Sequence, residues 1–84
     1  MNSSMTLYKR YINIVVETDK NGKMNPLFIR WDDGKLFKID KVIEHKHAAS
    51  QVGGNGLMYV VVIHGKKRRI FYEINRWFIE SFSP

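Results

Sequence analysis

The sequence LMYVVVI at residues 57–63 decides the fold of this chain. It is an apolar run of seven residues, four of them β-branched, and it is bounded by Gly53, Gly54, Gly56 and Gly65. A run this short fits a buried strand or a buried helix, but the β-branched side chains and the flanking glycines favour a strand. Because both faces of this strand are apolar, we expect the rest of the chain to cover it on both sides.

Other strand-like runs lie before and after this stretch. They occupy residues 7–16, 27–31, 36–47, 68–73 and 77–80. Residues typical of tight turns separate them, at 19–22, 32–34, 65–66 and 74–76. We expect Gly34 to adopt a left-handed conformation, and Pro26 to precede a strand that starts at Leu27. This order predicts an all-β fold, a small antiparallel barrel or strongly twisted sheet of five or six strands, SH3-like or OB-like in scale.

The segment 36–47 is less regular than the other runs. Its apolar positions change from one face to the other, which predicts a bend or a β-bulge within one long strand. The alternative is one short helical turn near residues 46–51, because Asp40 is a good helix cap and Ala48 and Ala49 are good helix formers. The sequence leaves both interpretations open.

The length of 84 residues predicts a single domain, residues 1–84, with residues 1–6 disordered and a core at about 7–82. A core this small needs most of its aromatic residues. The chain has no cysteine, which excludes disulfides and cysteine-based zinc sites. It shows no signal peptide and no apolar run near the roughly 20 residues of a membrane span. We therefore expect a cytoplasmic protein without a membrane partner.

The charge of the chain favours an anionic partner. Fourteen Lys and Arg against eight Asp and Glu give a formal net charge of +6. Such an excess favours anionic partners such as nucleic acid or acidic protein surfaces, although charge also keeps proteins soluble. The predicted nucleic-acid-binding residues are first the hairpin bases and then three further bases: Lys66, Lys67, Arg68, Arg69, Lys46, Arg76 and Lys38. The alternative for the hairpin is a solvated tip whose charges prevent edge pairing.

Aromatic residues lie next to many of these bases and would stack on unpaired nucleobases if they were exposed. Tyr8, Tyr59 and Tyr72 are the candidates for partial exposure, because their hydroxyl groups need water or a partner.

Other constellations give weaker signals. His45, His47 and His64 are chemically able to bind zinc or copper, but alternating histidines on a strand are common without a metal, and we predict no metal site. The glycine-rich segment 53–56 is followed by a strand and lacks the Lys and Ser or Thr of a phosphate loop. No carboxylate pair stands beside a nucleophile, so we predict neither an enzyme nor a cofactor.

The order of these residues resembles a known family. The resemblance rests on residues spread over nearly the whole chain after Tyr11: Trp31, Asp32, Asp33, Gly34, Phe37, Ile39, Asp40, Lys41, Val42, Ala48, Ala49, Ser50, Gly53, Gly54, Gly56, Tyr59, Phe71, Tyr72, Glu73, Arg76, Trp77 and Phe78. The family consists of small uncharacterised proteins of Firmicutes and their mobile elements, often encoded beside Y-family translesion DNA polymerases. Relatives often carry a basic pair where this chain has Lys46 and His47. The resemblance implies a shared fold and a DNA-repair or mobile-element setting, without an activity.

Together these features predict a non-enzymatic small basic β-barrel that binds nucleic acid or a nucleoprotein complex. The alternative is a protein-protein interaction module, such as a polymerase accessory factor or a mobile-element inhibitor of a host defence complex of the anti-CRISPR type. In that case a strand edge or an exposed aromatic cluster would carry the binding, and edge pairing would also allow a homodimer.

Overall fold

The fold is a single antiparallel sheet of seven strands in a computed structural model that describes residues 6–53 and 55–83. The strands are β1 (Tyr8–Thr18), β2 (Met24–Arg30), β3 (Leu36–Lys38), β4 (Lys41–Ala49), β5 (Asn55–Ile63), β6 (Lys66–Glu73) and β7 (Arg76–Ser81). Their order across the sheet is β3-β2-β1-β7-β6-β5-β4. The predicted all-β class is confirmed, and the sheet curls into a half-barrel.

Strand β1 joins the two parts of the sheet. Its residues 8–12 pair with β7, and its residues 13–18 pair with β2. The change of partner lies between Ile12 and Asn13, and a register shift between Val15 and Val16 then leaves Leu27 of β2 as a bulged residue next to Pro26. Strand β2 therefore begins at Met24, before the predicted start at Leu27. Proline occurs inside strands mainly at edges and next to β-bulges, and Pro26 directly precedes the bulged Leu27.

The predicted strand at 36–47 is two strands, because the chain crosses from one edge of the sheet to the other at residues 39 and 40. The Ile39 N–H donates to the Leu27 carbonyl of β2, and the Asp40 N–H donates to the Val62 carbonyl of β5, with distances of 2.9 and 2.8 Å. The expected bulge lies between Val42 and Glu44 in β4. This break raises the strand number from the predicted five or six to seven.

The alternative of a short helical turn near residues 46–51 is wrong, because the β ladder between β4 and β5 continues to Ala49, and Ser50 and Gln51 are not helical. The hairpin tips also differ slightly from the prediction. His64 and Gly65 form the β5–β6 turn, and Ile74 and Asn75 form the β6–β7 turn, all four with positive φ. These are two-residue turns that match the twist of a hairpin. Gly34 has the expected positive φ of 88°.

The concave face of the half-barrel holds the larger core cluster. Its buried residues come from both parts of the sheet and from the β3–β4 connection: Ile29, Ile39, Tyr59, Val61, Ile70 and Trp77. The long β1 strand adds Ile12, Ile14 and Val16, which lie on one face as the alternation predicts. This cluster holds the two halves of the folded sheet together.

The convex face carries a second cluster of Met58, Phe71 and Phe78. The Phe71 and Phe78 rings are stacked at 5.2 Å. Val52, in the β4–β5 connection, packs against this cluster and shields it from solvent. Strand β5 is thus covered on both faces, as expected, although it is next to an edge of the sheet and β7 is in the middle. The predicted disorder of residues 1–6 falls outside the described residues except for Thr6, and it stays a prediction.

Candidate nucleic-acid interface

The four predicted hairpin bases are all exposed at the start of β6, but they point to two different faces. Lys66 and Arg68 lie opposite Ile63 and Val61, so they belong to the concave face. Lys67 and Arg69 lie opposite Val62 and Val60 and belong to the convex face. The hairpin therefore presents positive charge on both sides of the sheet.

Arg69 differs from the other three bases because it is held by Glu80 of β7. The guanidinium Nη2 lies 2.5 Å from Oε1 of the carboxylate, whose side chain is only 8 % exposed. The other oxygen of Glu80 accepts from the Gln51 N–H at 2.6 Å and from the Ser50 hydroxyl at 3.3 Å. Glu80 thus ties β6, β7 and the β4–β5 connection together, and Arg69 has a structural role.

The curl of the sheet brings two further bases to the same end of the molecule as the β5–β6 turn. Lys41 and Lys67 flank Val62 on neighbouring strands of the convex face, about 10 Å apart by strand spacing. Lys38 precedes Asp40, whose N–H bonds to β5 at Val62. We call Lys38, Lys41, Lys66, Lys67 and Arg68 the basic end.

Charge on the basic end is not neutralised within the part of the chain that the structure describes. None of its five bases lies within ion-pair distance of a carboxylate among residues 6–53 and 55–83. Five other bases do form ion pairs there: Lys9, Arg10, Lys35, Lys46 and Arg69. Asp40 is the one nearby acidic residue on the β3–β4 connection.

Two predicted site residues lie elsewhere. Lys46 is in the middle of β4, opposite Met58, and pairs with Glu44 at 3.5 Å. Arg76 is at the β6–β7 turn, and its partner Glu73 is four residues along β6 from Arg69 and seven residues, or roughly 23 Å, from Lys66 at the hairpin tip. Its guanidinium lies 3.9 Å from the Tyr11 ring centroid. The structure therefore brings Lys38 to the hairpin and separates Lys46 and Arg76 from it.

A groove opens beside the basic end because β6 and β7 separate. Their pairing covers only three residue pairs, from Glu73 opposite Arg76 to Phe71 opposite Phe78. Beyond this point Ile70 and Ile79 line a groove of about 810 Å³ instead of pairing. The apolar part of its lining also includes Ile29, Trp31, Phe37 and Ile63, and all four hairpin bases line it as well.

Two aromatic side chains of this groove are fixed by their neighbours. The Arg10 guanidinium lies 4.3 Å from the Trp31 ring centroid and also donates to Asp32 at 2.9 Å. Phe37 meets His64 edge to face, with 6.1 Å between the ring centroids. Each ring is half-buried, so part of its surface faces the groove.

The three tyrosines that we expected to be partly exposed differ in environment. Tyr8 is 39 % exposed, and Tyr72 is half-buried with its hydroxyl donating to Asn75 at 3.1 Å. Tyr59 is 2 % exposed, so the prediction is wrong for this residue. Its hydroxyl donates to the Met24 carbonyl at 3.3 Å, and burial raises its pKa above the usual 10.0. Tyr59 is therefore a core residue.

The three histidines lie in two places. His45 and His47 alternate on β4, opposite Tyr59 and Leu57, and His45 stacks on the Tyr59 ring at 5.6 Å. His64 is in the β5–β6 turn, seven positions or roughly 23 Å along β5 from the partner of His47. Within residues 6–53 and 55–83, no three metal-binding side chains come together.

Sequence reasoning missed two features of this region. Trp31, Phe37 and Phe82 line the groove although they are far from the hairpin in sequence. Their aromatic character was visible, but their meeting depends on the curl of the sheet. Glu80 carried a local signal, since it follows Trp77, Phe78 and Ile79 in the closing strand and shares a face with Phe78. A carboxylate at such a position needs a partner.

Comparisons with protein-family models, with curated proteins and with solved structures found no match. The resemblance to small proteins encoded beside translesion polymerases therefore stays a prediction. The described residues include no helix long and apolar enough to cross a membrane.

Proposed function

We propose that this protein is a non-enzymatic binding module for nucleic acid, or for a nucleoprotein complex, and that its basic end carries the contact. The observation that carries the proposal is the clustering of bases that have no ion-pair partner. Among the described residues, five of the fourteen Lys and Arg side chains are in ion pairs, and five of the other nine lie together at the basic end. Unpaired bases on an exposed end are free to contact phosphates and to release their counterions.

The acidic residues support a binding function more than catalysis. Five carboxylates are in ion pairs, and Asp19 accepts from the N–H groups of Asn21 and Lys23 in its own turn. Glu17 and Asp40 are exposed and lie on different strands or connections. Glu80 accepts from the Ser50 hydroxyl, but it is already paired with Arg69, and among residues 6–53 and 55–83 no carboxylate forms an ion pair with a histidine in the arrangement that general acid-base catalysis often uses.

A charge-matched pair of variants tests the proposal. The test variant, Lys66→Gln with Arg68→Gln, removes two charges from the basic end. The control variant, Lys20→Gln with Lys23→Gln, removes two exposed charges from the β1–β2 turn, which is not part of the basic end. Each lost phosphate contact lowers the slope of log affinity against log salt by about 0.7 for a single strand and about 0.9 for a duplex. We therefore expect the first double variant, which removes two contacts, to lower the slope by about 1.5. The control should change the slope much less.

The readout is fluorescence anisotropy of labelled oligonucleotides at several salt concentrations. Equal slopes for the two double variants would contradict the assignment of the basic end. Circular dichroism should show that both variants keep the β-sheet spectrum, because all four substituted side chains are exposed.

A second candidate function is docking on a protein partner, and the edge strand β4 favours it. This strand has nine residues, lies at the end of the sheet order and bulges at Ile43, which is 47 % exposed. An open strand edge can pair with a strand of a partner or of a second copy of the chain. Pairing of this kind would survive high salt, and Ile43→Lys should weaken it.

The setting of the proposed function comes from the resemblance described above. It suggests DNA repair or a mobile element, and it fits a module that acts on nucleic acid beside a polymerase. The same setting would fit an accessory factor or an inhibitor of a host defence complex.

A further inference from the structure

The groove between β6 and β7 has the features of a site for a flexible chain. The two strands stop pairing after Phe71 and Phe78, while β6 still pairs with β5 and β7 still pairs with β1. In a continued ladder Arg69 would face Glu80, but here only their side chains meet. The two strands are thus not paired with each other at Arg69 and Ile70 of β6 and at Ile79 and Glu80 of β7, although Ile70 itself is fully buried.

The lining of the groove combines an apolar floor with a basic rim. Trp31, Phe37 and Ile79 are half-buried and line the floor, whereas Ile70 also borders it but has no exposed surface. The four hairpin bases line the rim, and the one acidic residue of the lining, Glu80, is paired with Arg69. A matching ligand must carry flat apolar groups together with regularly spaced negative charge.

Single-stranded nucleic acid meets both requirements. Its unpaired bases have exposed faces that stack on aromatic side chains, and its phosphates follow the bases at each step. A duplex stacks its bases on each other and offers mainly phosphates and groove edges to a protein. The volume of about 810 Å³ lies within the range of ligand-binding clefts.

We infer that this groove binds single-stranded nucleic acid, with the nucleobases stacked against Trp31 and Phe37 and the phosphates along Lys66 and Arg68. The inference rests on the proposed function and adds the substrate class. The chain turns with positive φ at His64 and Gly65, and His64 and Lys66, on either side of Gly65, both line the groove. Stacking does not read base edges, so the preference among bases should be weak.

The first test needs no variant. Four labelled probes of equal length are compared by anisotropy at low salt: oligothymidylate, oligouridylate, a duplex of oligothymidylate with oligoadenylate, and an abasic strand with the same phosphates. We expect the single strands to bind at least tenfold more tightly than the duplex and the abasic strand, because each stacked base contributes a factor of about 5 to 150. Comparison of oligothymidylate with oligouridylate shows whether the groove prefers DNA or RNA.

A pair of variants tests the position of the bases. Trp31→Leu and Phe37→Leu keep apolar bulk in the floor but remove the aromatic face, and thermal unfolding shows whether each variant folds. We expect each to weaken oligothymidylate binding about tenfold and to leave duplex binding unchanged. Tyr11→Leu is the control, since Tyr11 is a 41 % exposed aromatic residue outside the groove lining.

The outcomes separate the two proposals. Equal or tighter binding of the duplex, or equal binding of the abasic strand, would overturn the single-strand inference and leave the proposed function standing. Absence of binding to all four probes at low salt would overturn both.

Discussion

Replacing Glu80 with glutamine removes the charge and one of the two acceptor oxygens that tie β6, β7 and the β4–β5 connection together. The carboxylate accepts from Arg69, from the Gln51 N–H and from the Ser50 hydroxyl. A glutamine has the same size but presents an N–H₂ group at one of the two oxygen positions, so one donor then faces another donor. The variant therefore keeps the packing and changes the hydrogen bonds and the charge.

The cost follows from burial and charge. A hydrogen bond to a charged group contributes about 1.5 to 3 kcal/mol when it is desolvated. The Glu80 side chain is 8 % exposed but Arg69 is 46 % exposed, so solvent screens part of the ion pair. We expect Glu80→Gln to lower the free energy of unfolding by about 2 kcal/mol, which corresponds to a fall in Tm of about 10 °C for a domain of this size.

Urea and thermal unfolding followed by circular dichroism measure this change. Glu17→Gln is the matched control, because Glu17 is exposed on β1 and the substitution changes the charge equally. Adding Arg69→Gln to the Glu80→Gln variant should lower the free energy of unfolding only slightly further, because the two side chains act as a pair. A loss for Glu80→Gln no larger than that of the control would refute the role of Glu80 as an anchor.

Three further substitutions have defined outcomes. Tyr59→Phe should lower the free energy of unfolding by about 1 kcal/mol at neutral pH, because the hydrogen bond of the hydroxyl is lost. Burial raises the folded-state pKa of Tyr59 above 10.0, so the wild type should lose stability as the pH rises beyond 10.0. Urea titrations should show a smaller loss for the variant over the same pH range. Ile74→Asn should raise stability by about 1 kcal/mol, since a β-branched residue with φ of 48° is strained, and unchanged Tm would contradict this. Gly56→Ala should destabilise by about 2 kcal/mol, because an added Cβ would lie 2.7 Å from the Tyr72 carbonyl oxygen, and a neutral effect in urea unfolding would count against that close approach.

The sequence predicted the local parts of the fold well. The apolar run at 57–63 is a strand covered on both faces, and the turns near Gly34, Gly65 and Asn75 are where the residue types indicate them. These features depend on backbone preferences of a few neighbouring residues. They did not require knowledge of the rest of the chain.

The parts that the sequence did not predict depend on distant contacts. The chain breaks its predicted long strand at Ile39 because this residue bonds to β2 while Asp40 bonds to β5. Helix-forming Ala48 and Ala49 lie in β4 because pairing with β5 outweighs their intrinsic preference. Neither contact is visible in a local pattern.

The candidate site was only partly predictable, because it too depends on contacts between residues that are distant in the sequence. Alternation along β6 explains why Lys66 and Arg68 share a face, and sequence alone gives that parity. The pairing of Arg69 with Glu80 and the groove floor of Trp31 and Phe37 arise only when the sheet curls. The charge of the site was therefore predictable from the sequence. The shape of the groove and the structural role of Arg69 were not.

The most direct measurement is an anisotropy titration of the unmodified protein with a labelled oligothymidylate at roughly 50 and 200 mM salt. Five bases at the basic end have no ion-pair partner in the described part of the chain, and with a contribution of about 0.7 each to the slope for a single strand they predict a loss of affinity of about 100-fold over this range. Micromolar or tighter binding at the lower salt with such a loss is the predicted result. Absence of binding at the lower salt, or binding that does not change with salt, would contradict nucleic-acid binding through the basic end.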